Sequence, residues 1–414
     1  MKGKQFWKGK QVLVTGATGF VGSLLVYRLL DHGASVLGTK LSKLNKNDDL
    51  PGVEIVRNNC ADFPSLFELI ETRKPDIIFH LAAQSSVQVS IAEPYETTKT
   101  NVLALTGILE SLRKLQSKAR LVHIGSADVY GRAIHSKEDM KWYKSNHPYY
   151  LFGKTDEVKS ELPLKETAPL RPLSPYASSR AHNEMILHNY VNLYGLDAVA
   201  TRSFNHEGFG RGANFVTGSI IQQVKELQRG EREEMSIGNV STFRDWSYVW
   251  DMIEAYMSLA EKGKSGEIYN CGSGKANSVA TFLLLALEAT FGKVLSIRGL
   301  EGKNKFQNPL KLESITLFQK KAPQTALDIA LLTGKYEFKI NPDKSKTCGF
   351  IVETASKDIR VVFDKSKIRQ ADIPILIADT AKVSKLGVSF KTPLSAIIAE
   401  MLDPRQMVEN LRRK

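Results

Sequence analysis

The chain is poor in cysteine. Cys60, Cys271 and Cys348 are its only three, widely separated and without a CxxC spacing. That pattern argues against a disulfide scaffold and against a thiolate metal site, so no metal is expected, and it fits a reducing, cytoplasmic setting. Apolar residues never run long enough to span a membrane, which takes about 18 or more in succession. Met1 to Lys10 is basic but lacks the apolar segment of a secretory signal. Internal repeats and low-complexity tracts are missing too. Acid is scarcer than base: 44 Asp and Glu stand against 57 Lys and Arg, a formal charge of +13. The lysines are scattered and no nucleic-acid-binding motif accompanies them. The surplus therefore suits small anionic ligands better than nucleic acid or a membrane surface.

What is present is enough for a large core. With 414 residues, 42% of them hydrophobic, one or two domains are expected. From Gln11 to about Thr201 short apolar runs alternate with longer amphipathic ones. Val12–Val14, Ser35–Leu37, Val53–Val56, Ile77–His80, Leu121–Ile124 and Ala198–Ala200 read as strands; Pro64–Thr72, Pro94–Leu115 and Pro175–Tyr194 read as helices. This rhythm predicts an α/β fold with a doubly wound parallel sheet, covered by helices on both faces. The boundaries expected are a dinucleotide-binding domain over 1–203 and a smaller α/β substrate domain over 204–414, interleaved with it. Two stretches break the rhythm. One, 133–165, is polar and aromatic. The other, about 296–367, is lysine-rich, with strand-like pieces at Tyr336–Ile340, Gly349–Thr354 and Ile359–Phe363, and is expected to be a β-rich insertion.

The first strand runs into Gly16-Ala17-Thr18-Gly19-Phe20-Val21-Gly22, and a helical stretch to Asp31 follows. A strand that ends in a glycine turn and feeds a helix makes an anion site. Gly16 permits the tight turn, Gly19 lets a pyrophosphate approach the backbone, and Gly22 allows close helix–strand packing. The free N–H groups and the positive end of the helix dipole then face the phosphates. Thr18, Phe20 and Val21 belong to the same cradle. The spacing is GxxGxxG, not the GxGxxG of ordinary dehydrogenases. It resembles the short-chain dehydrogenase/reductase superfamily in its extended, sugar-nucleotide-modifying branch. After the second strand an NAD site would supply an acid for the ribose hydroxyls. This chain has Thr39-Lys40-Leu41-Ser42-Lys43, and a cation with small hydroxyls suits the 2′-phosphate of NADP ahead of NAD. The resemblance further implies that Asp62 meets the adenine and that Leu81, Ala82 and Ala83 form a small-residue turn beneath the cofactor.

The catalytic signature of the superfamily is a Tyr followed four residues later by Lys on one helix, with a Ser or Thr from a strand end. Here Ser126 ends the strand Leu121–Ile124, and Tyr176 opens the helix Pro175–Tyr194. The cation four residues on is Arg180, not Lys. Oxidising a carbinol needs a base for the hydroxyl proton, and a cation one helical turn away favours the phenolate. Arg keeps that charge but has a bulkier, forked head.

Further stretches narrow the resemblance to GDP-mannose 4,6-dehydratases and the related GDP-4-keto-6-deoxy-mannose reductases. They are Ser85 in Ala83–Val87, Asn205 in Phe204–Glu207, Asn214, Phe215 and Val216 in Arg211–Thr217, Gly238-Asn239, Arg244 in Arg244–Trp246, and Arg369 in Arg369–Pro374. The resemblance implies that these residues hold a nucleotide sugar such as GDP-mannose, the arginines on its phosphates. In a dehydratase a carboxylate also removes the C5 proton, and Asp128 stands at that position; Ala127 replaces a hydroxyl-bearing residue. Asp128 could equally cap the turn it sits in. The activity implied is a nucleotide-sugar 4,6-dehydratase. The alternatives are the related 4-keto reductase, an epimerase, or a nucleotide-sugar-binding protein whose chemistry Arg180 has impaired. The resemblance also implies a homodimer or homotetramer through Pro94–Leu115 and Pro175–Tyr194.

Overall fold

Seven parallel strands form the main sheet: β1 (Gln11–Thr15), β2 (Ser35–Lys40), β3 (Glu54–Arg57), β4 (Ile77–His80), β5 (Arg120–Ser126), β6 (Ala198–Ser203) and Ile268–Cys271. The computed structural model describes residues 2–42, 50–151, 158–317, 320–339, 348–368 and 372–405. In space the strands run β3-β2-β1-β4-β5-β6 and then Ile268–Cys271. The order therefore reverses between β1 and β4. At such a switch point the loops leave in opposite directions and open a crevice at the carboxyl ends of the strands.

The first of two compact units comprises Met1–Phe204, Val249–Gly272 and Ala378–Phe390. Val12 to Thr15 are buried without alternation, as expected for a central parallel strand covered on both faces. On one face Leu13, Ile78, Leu121 and Ala200 pack against α3 (Phe63–Arg73), α6 (Ala104–Lys114) and α8 (Pro175–Tyr194), through Leu66, Leu105, Ile108 and Leu187. The other face is covered by α2 (Phe20–Asp31), which packs on α10 (Val249–Lys262). Before them α1 (Lys2–Trp7) places Trp7 against Phe79, ring centroids 6.0 Å apart.

One expectation changes here. Pro94–Leu115 is not one helix. It is α5 (Pro94–Thr98), one π-helical turn over Lys99–Leu103, and α6. The wider turn carries Asn101, whose buried amide bonds both backbone groups of Gln84, at 2.9 and 3.0 Å, in the loop before α4 (Val87–Ala92). Such π-turns often mark functional positions. The stretch 133–165 holds a packed element, α7 (Lys137–Asn146), opened by a Ser136–Asp139 capping box. Its Tyr143 is buried and donates to the Arg132 carbonyl at 2.7 Å. Glu161 pairs with buried Arg171 through two bonds of 2.7 Å. Residues 152–157 of this stretch lie outside the described residues.

The second unit comprises Asn205–Tyr248, Ser273–Ile377 and Lys391–Lys414. It contains α9 (Val216–Arg229) and a five-stranded sheet in the order Phe306–Gln307, Val294–Gly299, Gly349–Thr354, Asp358–Phe363, Glu234–Ile237. The stretch 296–367 supplies most of this sheet, so it is β-rich. Tyr336–Ile340, expected as a strand, is none as far as Lys339. Tyr336 and Phe338 instead join an aromatic row with Phe306, Phe350 and Phe363, neighbouring centroids 4.9 to 5.8 Å apart; ring packing wins there over strand pairing. Ile340 is outside the described residues. No described helix is long and apolar enough to cross a membrane. Nor do the described residues hold three or more His, Cys, Asp or Glu clustered as metal ligands.

Candidate active site

The carboxyl ends of the parallel strands and the turns that leave them carry the expected site residues of the first unit, except Tyr176 and Arg180, which lie on α8. β1 leads into Gly16, whose φ of +71° belongs to the left-handed region. A Cβ on Gly16 would lie 3.1 Å from the Ala82 backbone, and one on Gly22 would lie 2.1 Å from the Gly16 carbonyl oxygen. Gly19 is the N-cap of α2 and offers no side chain to the helix N–H groups. The open N–H groups and the close approaches together form a cradle that fits a dinucleotide pyrophosphate. Gly22→Ala should therefore lower dinucleotide affinity at least about tenfold by displacing α2 from the turn; titrating NADPH fluorescence measures it, and an unchanged affinity would refute the cradle. Thr18, Phe20 and Val21 are half-buried in the same turn.

The turn is closed from beneath. Thr15 Oγ1 accepts from the N–H groups of Leu81 and Ala82, at 3.2 and 3.1 Å, which locks the Leu81–Ala83 segment onto β1. Asp62 is exposed at the N-terminus of α3, and its carboxylate makes no capping bond there. It is thus open to an outside donor. Thr39 behaves otherwise than expected: its side chain is 1% exposed, with Oγ1 at 3.8 Å from Cys60 Sγ. Period-two alternation turns it under the sheet, so it offers no hydroxyl to a 2′-phosphate. Lys40, half-buried at the strand end, remains for that role, and Lys43 lies outside the described residues.

Ser126 ends β5, and its Oγ accepts the Asp128 N–H at 3.2 Å. That bond uses a lone pair and leaves the hydroxyl proton to donate. Asp128 is half-buried in the turn that follows, and Ala127 is buried. Helix α8 packs on both β5 and this turn. It starts at Ser174, whose Oγ caps Ala177 N–H at 3.1 Å, with Pro175 at the first position. The cap places Tyr176 in the first turn, 8% exposed. One turn on, the Arg180 guanidinium lies over the Tyr176 ring, 5.3 Å from its centroid. Arg180 is 4% exposed; its Nη1 donates to the Ile124 carbonyl at 3.5 Å, and its Nε–H has no partner among the described residues. Ser85 is exposed in the loop before α4.

Sequence reasoning missed several buried polar residues of this layer. Asn101 Nδ2 also donates to Ser179 Oγ on α8, at 3.0 Å, and Asn183 Nδ2 bonds the Asn101 carbonyl at 3.1 Å. His80, at the end of β4, and His123, in the middle of β5, are partners in register and stack at 5.4 Å. Their polar character inside strands was the available signal.

In the second unit, Asn205 precedes a short parallel pair, His206–Glu207 with Ser247–Tyr248, and its carbonyl accepts the Ser247 N–H at 2.8 Å. Asn214 is exposed, Phe215 is the N-cap of α9, and Val216 its first residue. The Arg211 guanidinium stacks on the Phe215 ring at 3.6 Å. Buried Glu207 fixes this loop, accepting from Thr217 Oγ1 at 2.6 Å and lying 3.3 Å from Arg211. Burial pushes its carboxyl up, against the pull of Arg211. Arg244 is drawn inward: it bonds the Ile373 carbonyl at 2.7 Å and lies 3.3 Å from Asp372. Arg369 itself lies outside the described residues.

Comparison with known proteins gives a consistent picture. The NAD dependent epimerase/dehydratase family matches residues 12–272. GDP-mannose 4,6 dehydratase 1 of Arabidopsis thaliana is 32% identical over 298 residues, which is 69% of this chain and 75% of that protein. GDP-mannose 4,6 dehydratase 2 of Caenorhabditis elegans is 29% identical over 312 residues, 72% of this chain and 74% of that one. Among solved structures, RMD from Pseudomonas aeruginosa complexed with NADPH covers 96% of this chain and 99% of its own, with a TM-score of 0.65 at 19% identity. The UDP-glucose 4-epimerase of Thermus thermophilus in complex with NAD covers 95% and 98%, with a TM-score of 0.64 at 22% identity. At those identities the structures establish the fold.

Proposed function

The chain belongs to the NAD dependent epimerase/dehydratase family, and from that premise we propose that it is a nucleotide-sugar 4,6-dehydratase converting GDP-mannose to GDP-4-keto-6-deoxy-mannose, with NADP as its resident cofactor. NAD(P) binding follows from the family and from the glycine cradle. The preference for NADP rests on Lys40 and on the missing acid after β2. One observation carries the chemistry: a buried Tyr176 lies under the Arg180 guanidinium on a helix packed against the Ser126 turn. The named dehydratase relatives support the substrate.

When bound, the cofactor supplies a hydride acceptor and donor, held by Gly16, Gly19 and Gly22 on its pyrophosphate and by Arg180 near its ribose. The rest is work for the side chains. Ser126 donates its hydroxyl proton to the substrate O4 oxygen, and Tyr176 takes the O4 proton as the carbinol becomes a carbonyl. The Arg180 cation balances the negative charge of the phenolate that accepts this proton. Asp128 removes the C5 proton, which the new C4 carbonyl acidifies, so that the C6 hydroxyl can leave as water. Asn205, Asn214, Phe215, Val216, Arg244 and Arg369 are the proposed contacts to the nucleotide sugar.

Exposed apolar residues on helices of the first unit, Ile91, Tyr95, Leu103, Met185 and Leu193, favour association of the chain with copies of itself as a homodimer or homotetramer. Purified protein incubated with GDP-mannose should form the 4-keto-6-deoxy product with no net consumption of added cofactor, read by mass spectrometry. Stoichiometric loss of added NADPH with a 4-keto substrate would identify the reductase instead. Binding without any turnover would leave a nucleotide-sugar-binding protein.

A further inference from the structure

Residue 180 is an arginine in a place built for buried polar contact, and the strands beneath it show what that contact is. Thr15, His80 and His123 occupy one register across β1, β4 and β5. All three are buried, at 0, 1 and 0% exposure. In a parallel sheet, partners in register point to the same face. The row therefore lies on one side of the sheet, and the Arg180 Nη1 reaches the carbonyl of the residue next to His123.

The hydrogen bonds fix the tautomer of His80. Thr15 Oγ1 accepts from two backbone N–H groups, Leu81 and Ala82, which occupies both of its lone pairs. Its own proton must then go to His80 Nδ1, 2.8 Å away. His80 accordingly carries its proton on Nε2, and its single lone pair is used. The His123 ring stacks on the His80 ring, with 27° between the planes, so the two imidazoles do not bond each other. Neither ring nitrogen of His123 has a partner, and neither has the Arg180 Nε–H, among the described residues. Both histidines are neutral: burial, with help from the Arg180 charge, pushes His80 down to about 3 and His123 well below the ordinary range. A neutral His123 holds one proton and one free lone pair. It is the imidazole of the row whose lone pair is unclaimed. Two buried donors near it lack a partner among the described residues, His80 Nε2–H and Arg180 Nε–H; His80 stacks on the His123 ring and does not bond it, which leaves Arg180 as the donor. Leaving either unmatched is costly in a site this dry.

We propose that His123 is the positioning residue of Arg180: in the working enzyme its free ring nitrogen accepts the Arg180 Nε–H, and the His80 ring, oriented by Thr15, backs it from the other side. The guanidinium is thereby held against the Tyr176 ring. A lysine ammonium has no equivalent of a fixed, in-plane Nε–H. The histidine pair thus explains how arginine serves at this position.

The test uses two substitutions and a second background. His123→Phe keeps the ring and its stacking but removes both nitrogens, and His123→Gln restores a neutral acceptor. In ¹⁵N-arginine-labelled full-length protein loaded with NADP, wild type and His123→Gln should show a slowly exchanging Nε–H resonance, lost in Arg180→Lys, that is absent from His123→Phe. The effect on catalysis, which rests on the activity proposed above, should be a fall in kcat of about 10- to 100-fold for His123→Phe, as for loss of a hydrogen bond to a charged group. KM for GDP-mannose should stay within about twofold, and His123→Gln should recover most of the rate. In the Arg180→Lys background the same His123→Phe change should cost less than about threefold, since coupled residues are not additive. Persistence of the Arg180 resonance in His123→Phe would overturn the proposal, as would an equal loss of rate in both backgrounds. If no nucleotide sugar is turned over by any form, the proposed activity fails, but the resonance still decides the role of His123.

Discussion

Tyr176→Phe should lower kcat on GDP-mannose by about a hundred- to ten-thousand-fold, the range expected when a general base is removed. The substitution deletes one oxygen and nothing else. The ring under Arg180, at 5.3 Å, is retained, and so is its cation–π contact. Ser174 still caps α8, because that bond runs to the Ala177 backbone. KM and thermal stability should therefore change little, and the loss should fall on the chemical step. Ser126 can still polarise the substrate oxygen and Arg180 still supplies charge, but no group remains to take the O4 proton. Initial rates, with a melting curve for each variant, check this. A Tyr176→Phe enzyme within about threefold of wild type would mean that the proton leaves by another route.

The largest expected effect on stability comes from Glu184→Ala. Glu184 is on α8, two turns past Tyr176, and meets Arg202 on β6 in a forked pair: Nε to Oε1 at 2.9 Å and Nη2 to Oε2 at 2.7 Å. Both side chains are nearly sealed, 4% and 6% exposed. Burial pushes the Glu184 carboxyl up, while its pairing strengthens the proton affinity of Arg202. Alanine would leave the arginine charged in a dry interior, which costs about 3–5 kcal/mol when one partner of a buried pair is removed. For a unit of this size that is a fall in melting temperature on the order of 10 °C. Arg202 is also held by the Tyr130 ring, 4.7 Å away, and by the Glu166 carbonyl at 2.8 Å. These contacts soften the loss but do not neutralise the charge. Replacing both partners together, Glu184→Leu with Arg202→Met, should recover much of it. A melting temperature unchanged in Glu184→Ala would show that water reaches the pair.

These two residues also show where a linear sequence informs and where it does not. The place of Tyr176 in the first turn of a helix, one turn before a cation, could be read in advance because a Ser-Pro helix start announces it. The parallel sheet was equally readable, since its strands are short, apolar and evenly punctuated. Glu184 and Arg202 lie in an ordinary amphipathic helix and an ordinary strand, and nothing local says that they meet. The same holds for Thr15, His80 and His123, which come into one row only through strand register. Thr39 misled for a related reason. It sits in the right loop-adjacent position for a phosphate, but strand alternation points it inward against Cys60. Tyr336–Ile340 has strand composition, yet its rings found aromatic neighbours first.

The bond from Thr15 to Ala82 spans 67 residues of chain. It ties the cofactor cradle to the meeting of two segments far apart in the chain. The glycine turn is local, but it is closed only when β4 has docked beside β1, so a nascent or partly unfolded chain offers the dinucleotide only an open turn. The cofactor therefore discriminates between the finished sheet and its precursors. By mass action it should raise the apparent stability of this unit by RT ln(1 + [L]/Kd). Cellular dinucleotide supply would then govern how long the protein survives proteolysis as well as how fast it works.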